Sequence, residues 1–288
     1  MISLLFIMSI KKVDKEEIME FTLTLSLQAA IFIFIMAFIA EYFDSTLGMG
    51  YGTSLTPLLL IYGFPPLQIV PAILASELIT GFVASILHNK MGNVKLYPKL
   101  FEKKLEVRDF MLKHLKIAII IGSSSIVGTV VSVFIAVNIP HIVLKLYIGI
   151  LIFSMGLVIL LTLKKHYKFR WKKVITLSII ASFNKGLSGG GYGPVVTSGQ
   201  LLSGVDGKNA VGITSLAESL TCLVGLALYY LIKKDLDMTL FPYLAIGGIL
   251  SVPLSAFTVK KIPKSKFRIV IGSVCIFLGL LTLVKILF

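Results

Sequence analysis

Long apolar runs, separated by short polar ones, set the organisation of this chain. They cover roughly 22–42, 53–62, 67–88, 115–137, 141–163, 174–187, 194–203, 208–232, 240–260 and 267–288. Most match the ~20 residues that an α-helix needs to cross a bilayer. The runs are continuous and do not alternate, which predicts helices and argues against a β-barrel. Two of them, 53–62 and 194–203, are too short to cross alone. Each directly follows a glycine-rich break, "GMGYGT" from Gly48 and "GGGYGP" from Gly189. The longest polar stretch, 88–116, reads as a loop, and no soluble domain is visible. Residues 1–20 form a lead-in. Its "MISLLFIMSI" is too short to span and lacks the basic start and cleavage site of a signal peptide.

The pattern repeats. A shift of 141 residues lays 40–80 on 181–221, and Gly48, Gly50, Tyr51, Gly52, Thr56, Leu60, Gly63, Val70, Glu77 and Thr80 each meet an identical residue. Further on, a shift of 123 brings Ile139-Pro140 onto Ile262-Pro263, Gly149 onto Gly272 and Gly156 onto Gly279. The chain therefore reads as two copies of one unit, 21–163 and 174–288, with the longer loop in the first.

Composition and charge sharpen this picture. Of the 288 residues 56% are hydrophobic and 15% charged, and the mean hydropathy is +0.94. These values exclude an ordinary soluble domain. The formal charge of +14 would point to nucleic acid in a soluble protein. Here 19 of the 28 Lys and Arg lie in 88–116, 164–173 and 260–268, which the positive-inside rule places in the cytoplasm. Corresponding loops of the two halves differ in charge: Ile139-Pro140 is neutral where Ile262-Pro263 is basic, and 88–116 is basic where 233–239 is neutral. That is the signature of opposite orientation. The expected fold is an all-α polytopic membrane protein of two inverted-topology repeats, each a Gly-broken helix pair plus three full transmembrane helices. Cys222 and Cys275 lie in apolar segments and imply neither a disulfide framework nor a metal site. His88, His114, His141 and His166 lie at the ends of apolar runs and read as interfacial.

Three sets of residues can carry chemistry. At the breaks, Gly48, Gly50 and Gly52, with Gly189, Gly190, Gly191 and Gly193, permit backbone angles that other residues resist. Thr53 and Pro194 follow, so a half-helix is expected to start at each point. Helix N-termini favour an anion, and irregular backbone at membrane depth is tolerated only inside protein or beside a wet cavity. Close helix packing through small residues is the structural alternative. Second, Glu77 and Glu218 lie about ten residues into their helices, near mid-bilayer, where a carboxylate is functional by default. Each is a proton-coupling group, a substrate-facing group, or a partner for the N–H groups of the break. Third, Lys185 aligns with Asp44. It can attract an anion, neutralise an acid, snorkel or pair with Asp44. Tyr51 and Tyr192 donate into the cavity or only pack. Glu41 and Asn184 stand with Asp44 and Lys185 ahead of the breaks, and Gln200 and Asn209 are of second rank.

The "GYG" pair also resembles a potassium-channel filter, which needs four T-V-G-Y-G loops. A homodimer would supply four loops, but in two opposite orientations, and neither loop has the threonine. A channel stays the alternative reading. No H-E-x-x-H, G-x-S-x-G or Walker A motif is present, so neither an enzyme nor a cofactor is expected.

The break "EYFDSTLGMGYGTSLTPLLL", its copy "FNKGLSGGGYGPVVTSGQLL" and the repeated glutamate in the next helix resemble the sulfite exporter TauE/SafE family of membrane transporters. The resemblance runs from about Phe21 to Phe288. It implies a duplicated helical fold in the cytoplasmic membrane, and transport of sulfite, organosulfonates or related small anions without ATP hydrolysis. The expectation is a secondary transporter of such anions, with Glu77, Glu218 and Asp44 coupling protons or lining the cavity, and the solute held at 48–53, Lys185 and 189–193.

Overall fold

The computed structural model describes residues 26–96, 105–161, 171–202, 205, 207–259 and 264–287. The expected lead-in, 1–20, lies outside them. Among the described residues the regular structure is all helical. The helices are α1 (Leu27–Leu47), α2 (Tyr51–Tyr62), α3 (Pro66–Lys90), α4 (Leu105–Asn138), α5 (His141–Leu161), α6 (Trp171–Ser188), α7 (Tyr192–Leu202), α8 (Gly207–Lys233), α9 (Phe241–Thr258) and α10 (Lys264–Leu287).

Local chemistry sets the ends that matter. Ser26 caps α1, its Oγ accepting from Ala29 N at 3.2 Å. The helix stops at Gly48, where φ turns to 71° and the Gly48 N–H reaches back to Asp44 O. In the second break Gly189 has φ 70°, and its N–H bonds Lys185 O at 2.8 Å. Such left-handed angles are cheap only for glycine. The half-helices start at Tyr51 and Tyr192, two residues before the expected Thr53 and Pro194. Pro194 thus sits in a first turn, where its missing N–H breaks no helical bond.

Among the described residues six helices are long and apolar enough to cross a membrane: α1, α3, the His114–Asn138 part of α4, α5, α8 and α9. In α10 the apolar stretch is Gly272–Ile286. The three basic segments are shorter as loops than the apolar pattern indicated. α3 runs on to Lys90, α4 begins at Leu105, α6 at Trp171 and α10 at Lys264. Apolar periodicity marks the part of a helix that needs hydrocarbon, whereas charged turns such as "LEVRDFMLKH" continue the same helix beyond it.

The main packing pairs are α4 with α6, α5 with α10, α1 with α9 and α3 with α8. Under the two shifts, 141 residues for the earlier helices of each half and 123 for the later ones, the first and third pairs correspond to each other, while the second and fourth each join a helix to its own counterpart. A core of Ile33, Tyr51, Leu59, Ile73, Ile148 and Tyr229 sits between them. Phe134, Leu254 and Phe277 are exposed, as lipid-facing side chains are.

Candidate functional site

The two glycine breaks touch. A methyl group on Gly52 would overlap the Gly189 carbonyl oxygen, and one on Gly190 would stand 2.7 Å from the Gly52 carbonyl carbon. A methyl on Gly193 would overlap Gly48 O and lie 2.7 Å from Met49 Cα. Only backbone fits at this crossing. Two threonines at matching positions bond its carbonyl groups: Thr56 Oγ1 donates to Ser188 O at 2.7 Å, and Thr197 Oγ1 to Gly48 O at 2.7 Å. Buried backbone acceptors need such partners.

At the start of α2 the Tyr51 N–H donates to Asp44 Oδ1 at 3.3 Å. A carboxylate from the preceding helix thus stands where a solute's oxygen was expected, and for the same reason, the partial positive charge of the helix end. At the start of α7 the Gly190 N–H donates to Ser188 Oγ at 3.1 Å. The two tyrosines tie helices together. Tyr51 Oη bonds Ser76 of α3 and Leu244 O of α9 at 2.9 and 3.1 Å. Tyr192 Oη lies 3.3 Å from both Ser125 Oγ of α4 and Thr221 Oγ1 of α8. Thr53 is buried in α2, its hydroxyl beside the Cys275 thiol of α10.

Beside the crossing lies a charged cluster. The α3–α8 pair brings Glu77 and Glu218 together. Its close approach depends on small residues: Ser219 Oγ donates to Leu78 O at 2.8 Å, and a methyl on Gly81 would stand 2.9 Å from Ser215 O. Lys185, one turn before the second break, bonds both carboxylates, Glu77 through Oε2 and Glu218 through Oε1, the latter at 2.7 Å. It is 1% exposed. Of the roles open to Lys185, pairing with an acid is the one seen, although the acids are the two glutamates. Asp44, its counterpart in the register, approaches from the other side. One carboxylate oxygen each of Asp44, Glu77 and Glu218 lies within 4.8 Å of the others. These acids stand 33 and 141 residues apart in sequence, beyond the reach of any spacing motif, which is why the sequence gives no sign of a ligand cluster.

Glu41, Asp44, Glu77, Thr80, Gly81, Ser215 and Glu218 line a cavity of ≈ 10 Å³, room for about one water. A second cavity, ≈ 170 Å³, opens beside Gly50 and Ser54 but is otherwise apolar, with Met36, Phe43, Leu55 and Leu278 in its wall. It offers a hydrated anion nothing.

Several polar residues around the cluster have partners that sequence reasoning did not assign. Glu41 accepts from Ser45 Oγ at 2.5 Å and from Thr80 Oγ1 at 3.0 Å. His88 was read as interfacial. It is fully buried, with Nε2 2.8 Å from Ser45 O and Nδ1 3.0 Å from Asn93 Nδ2. Its signal is the i+11 spacing from Glu77, which puts both on one face of α3. Gln200 Nε2 donates to Thr214 Oγ1, which in turn lies 2.9 Å from Thr197 Oγ1.

Interrupted helices meeting at a buried charged cluster, within a set of membrane-length helices, are an arrangement found in membrane transporters. The model of the family described as "Sulfite exporter TauE/SafE" matches residues 33–282, and the chain belongs to that family. It is 27% identical over 268 residues to the "Probable membrane transporter protein YtnM" of Bacillus subtilis (strain 168), a match covering 88% of this chain and 82% of the relative. No solved structure matches the chain.

Proposed function

We propose that the protein is a secondary transporter of small sulfur-containing anions such as sulfite or organosulfonates. It works by alternating access between two inverted halves, 21–163 and 174–288. The contact of the two glycine breaks beside the Asp44–Glu77–Lys185–Glu218 cluster carries this reading, together with the family. The contact is pseudo-symmetric in its parts: a left-handed glycine, a tyrosine at the helix start and a threonine on the opposite carbonyl recur in both halves. The orientation follows from the loop charges, with the three basic segments in the cytoplasm and the chain in the cytoplasmic membrane.

The cluster supports a coupled mechanism. Three carboxylates against one ammonium repel an anion, so an anion can approach the breaks only after positive charge has entered. A proton on Glu77, Glu218 or Asp44 is the smallest such charge, and parting of the halves would then free the helix N-termini for the solute. The channel alternative has less support, because the GYG segments are in backbone contact and their tyrosines are engaged by neighbouring helices.

Proteoliposomes supplied with sulfite, sulfate, thiosulfate, sulfoacetate and acetate test this reading. Saturable counterflow of a sulfur anion is expected, without macroscopic current. A steady unsaturable current would make the protein a channel, and indifference to every anion would remove the substrate class.

A further inference from the structure

We propose that Asp44, Glu77 and Glu218 bind one hard divalent cation of about the size of Ca²⁺, and that this ion supplies the positive charge that admits the anion. The second clause rests on the transport reading above; the site itself rests on geometry.

Four observations converge on it. The first is spacing. Three oxygens within 4.8 Å of one another place a central ion no more than about 2.8 Å from each. The 2.3–2.6 Å of Ca²⁺–carboxylate contacts lies within that bound, and the widest separation it allows suits Ca²⁺ better than the 2.0–2.1 Å of Mg²⁺. The second is an orphan. Glu77 Oε1 is buried and has no hydrogen-bond partner, in a residue only 3% exposed. Lys185 holds the other oxygen, so the carboxylate is fixed with one oxygen left over, in a residue that lines the shared cavity. Buried polar atoms rarely stay unsatisfied unless something binds there. The third is charge. When ionised, Asp44, Glu77 and Glu218 outweigh the Lys185 ammonium by two charges, an excess that a divalent ion offsets better than Na⁺. The fourth is size and softness. A cavity of ≈ 10 Å³ takes a bare ion and excludes sulfite, and an all-oxygen ligand set selects hard cations over thiophilic ones. Glu41 lines the same cavity, but Ser45 and Thr80 already engage both its oxygens.

Equilibrium dialysis of the full-length protein in lipid nanodiscs against ⁴⁵Ca²⁺ tests the site. One saturable Ca²⁺ per chain is expected, displaced by Mn²⁺ and not by Na⁺ at matched ionic strength. Asp44→Asn and Glu77→Gln should each weaken binding on the order of tenfold or more. Absence of saturable binding by the wild-type chain overturns the proposal, whatever the variants do. So does binding that survives both substitutions, or that Na⁺ displaces at equal ionic strength. Anion counterflow is measured in parallel on the same preparation. Anion flux without Ca²⁺ binding defeats this proposal and leaves the transport reading intact. Ca²⁺ binding without anion flux supports the site and defeats the transport reading.

Discussion

Lys185 stands between two carboxylates from different helices, almost wholly out of solvent. Removing one partner of a buried ion pair strands the others, typically at a cost of about 3–5 kcal/mol. Lys185→Met is expected to lower thermal stability in detergent by that much, and Lys185→Met with Glu77→Gln and Glu218→Gln to recover most of it. Equal melting of the wild type and Lys185→Met would show that the cluster is not an ion pair. Thr56→Val and Thr197→Val should each cost about 1–3 kcal/mol, because each orphans a buried carbonyl at the crossing, and the same melts read it. At this scale the sequence shows a good deal. Glu77 and Glu218 stand out because they occupy one register position in both copies. The partners of Lys185 do not, because a hydrogen bond across 108 residues leaves no trace in local pattern. His88 misleads for a different reason. It ends an apolar run, yet the following residues fold back over it, burying Asn93, Val94 and Leu96.

Helices meet the constraint of close approach with glycine, and α7 provides its own comparison. Gly193 faces the backbone of Gly48 and Met49, which cannot yield; Gly199 faces only the tip of Leu177, 3.0 Å from an added methyl. Gly193→Ala is therefore expected to lose ~3 kcal/mol or more through overpacking, and Gly199→Ala to stay within ~1 kcal/mol because helix propensity improves. Folded yield by size-exclusion chromatography separates the two; equal yields would mean the crossing is looser than described. The breaks are legible because glycine runs are conspicuous among apolar residues. That each break is the other's packing surface is not, since glycine leaves no side chain to suggest a partner. Element ends were hardest to read where a helix leaves the apolar zone, as α4 does between Leu105 and His114.

For the molecule as a whole, loop charge is a statement about sides. With Cys222 and Cys275 buried, single cysteines can be placed at exposed positions at or just beyond helix ends and probed with an impermeant maleimide. Asn138→Cys and Asp235→Cys should label from outside intact cells, and Lys95→Cys and Lys172→Cys only after permeabilisation. Labelling of all four from one side would contradict inversion of the halves. The side-by-side order of helices was beyond sequence reading, because identical registers do not reveal which copy a helix packs against. The first helix of each half lies on the fourth helix of the other, α1 on α9 and α6 on α4. Neither half can therefore bury its own opening helix. During synthesis α1 must wait for nearly two hundred residues of chain before its main neighbour exists, and two separately expressed halves would each be incomplete until they met in the bilayer. On the proposed inversion of the halves, a single ancestral copy of such a unit would have had to enter the membrane both ways up and find its reverse.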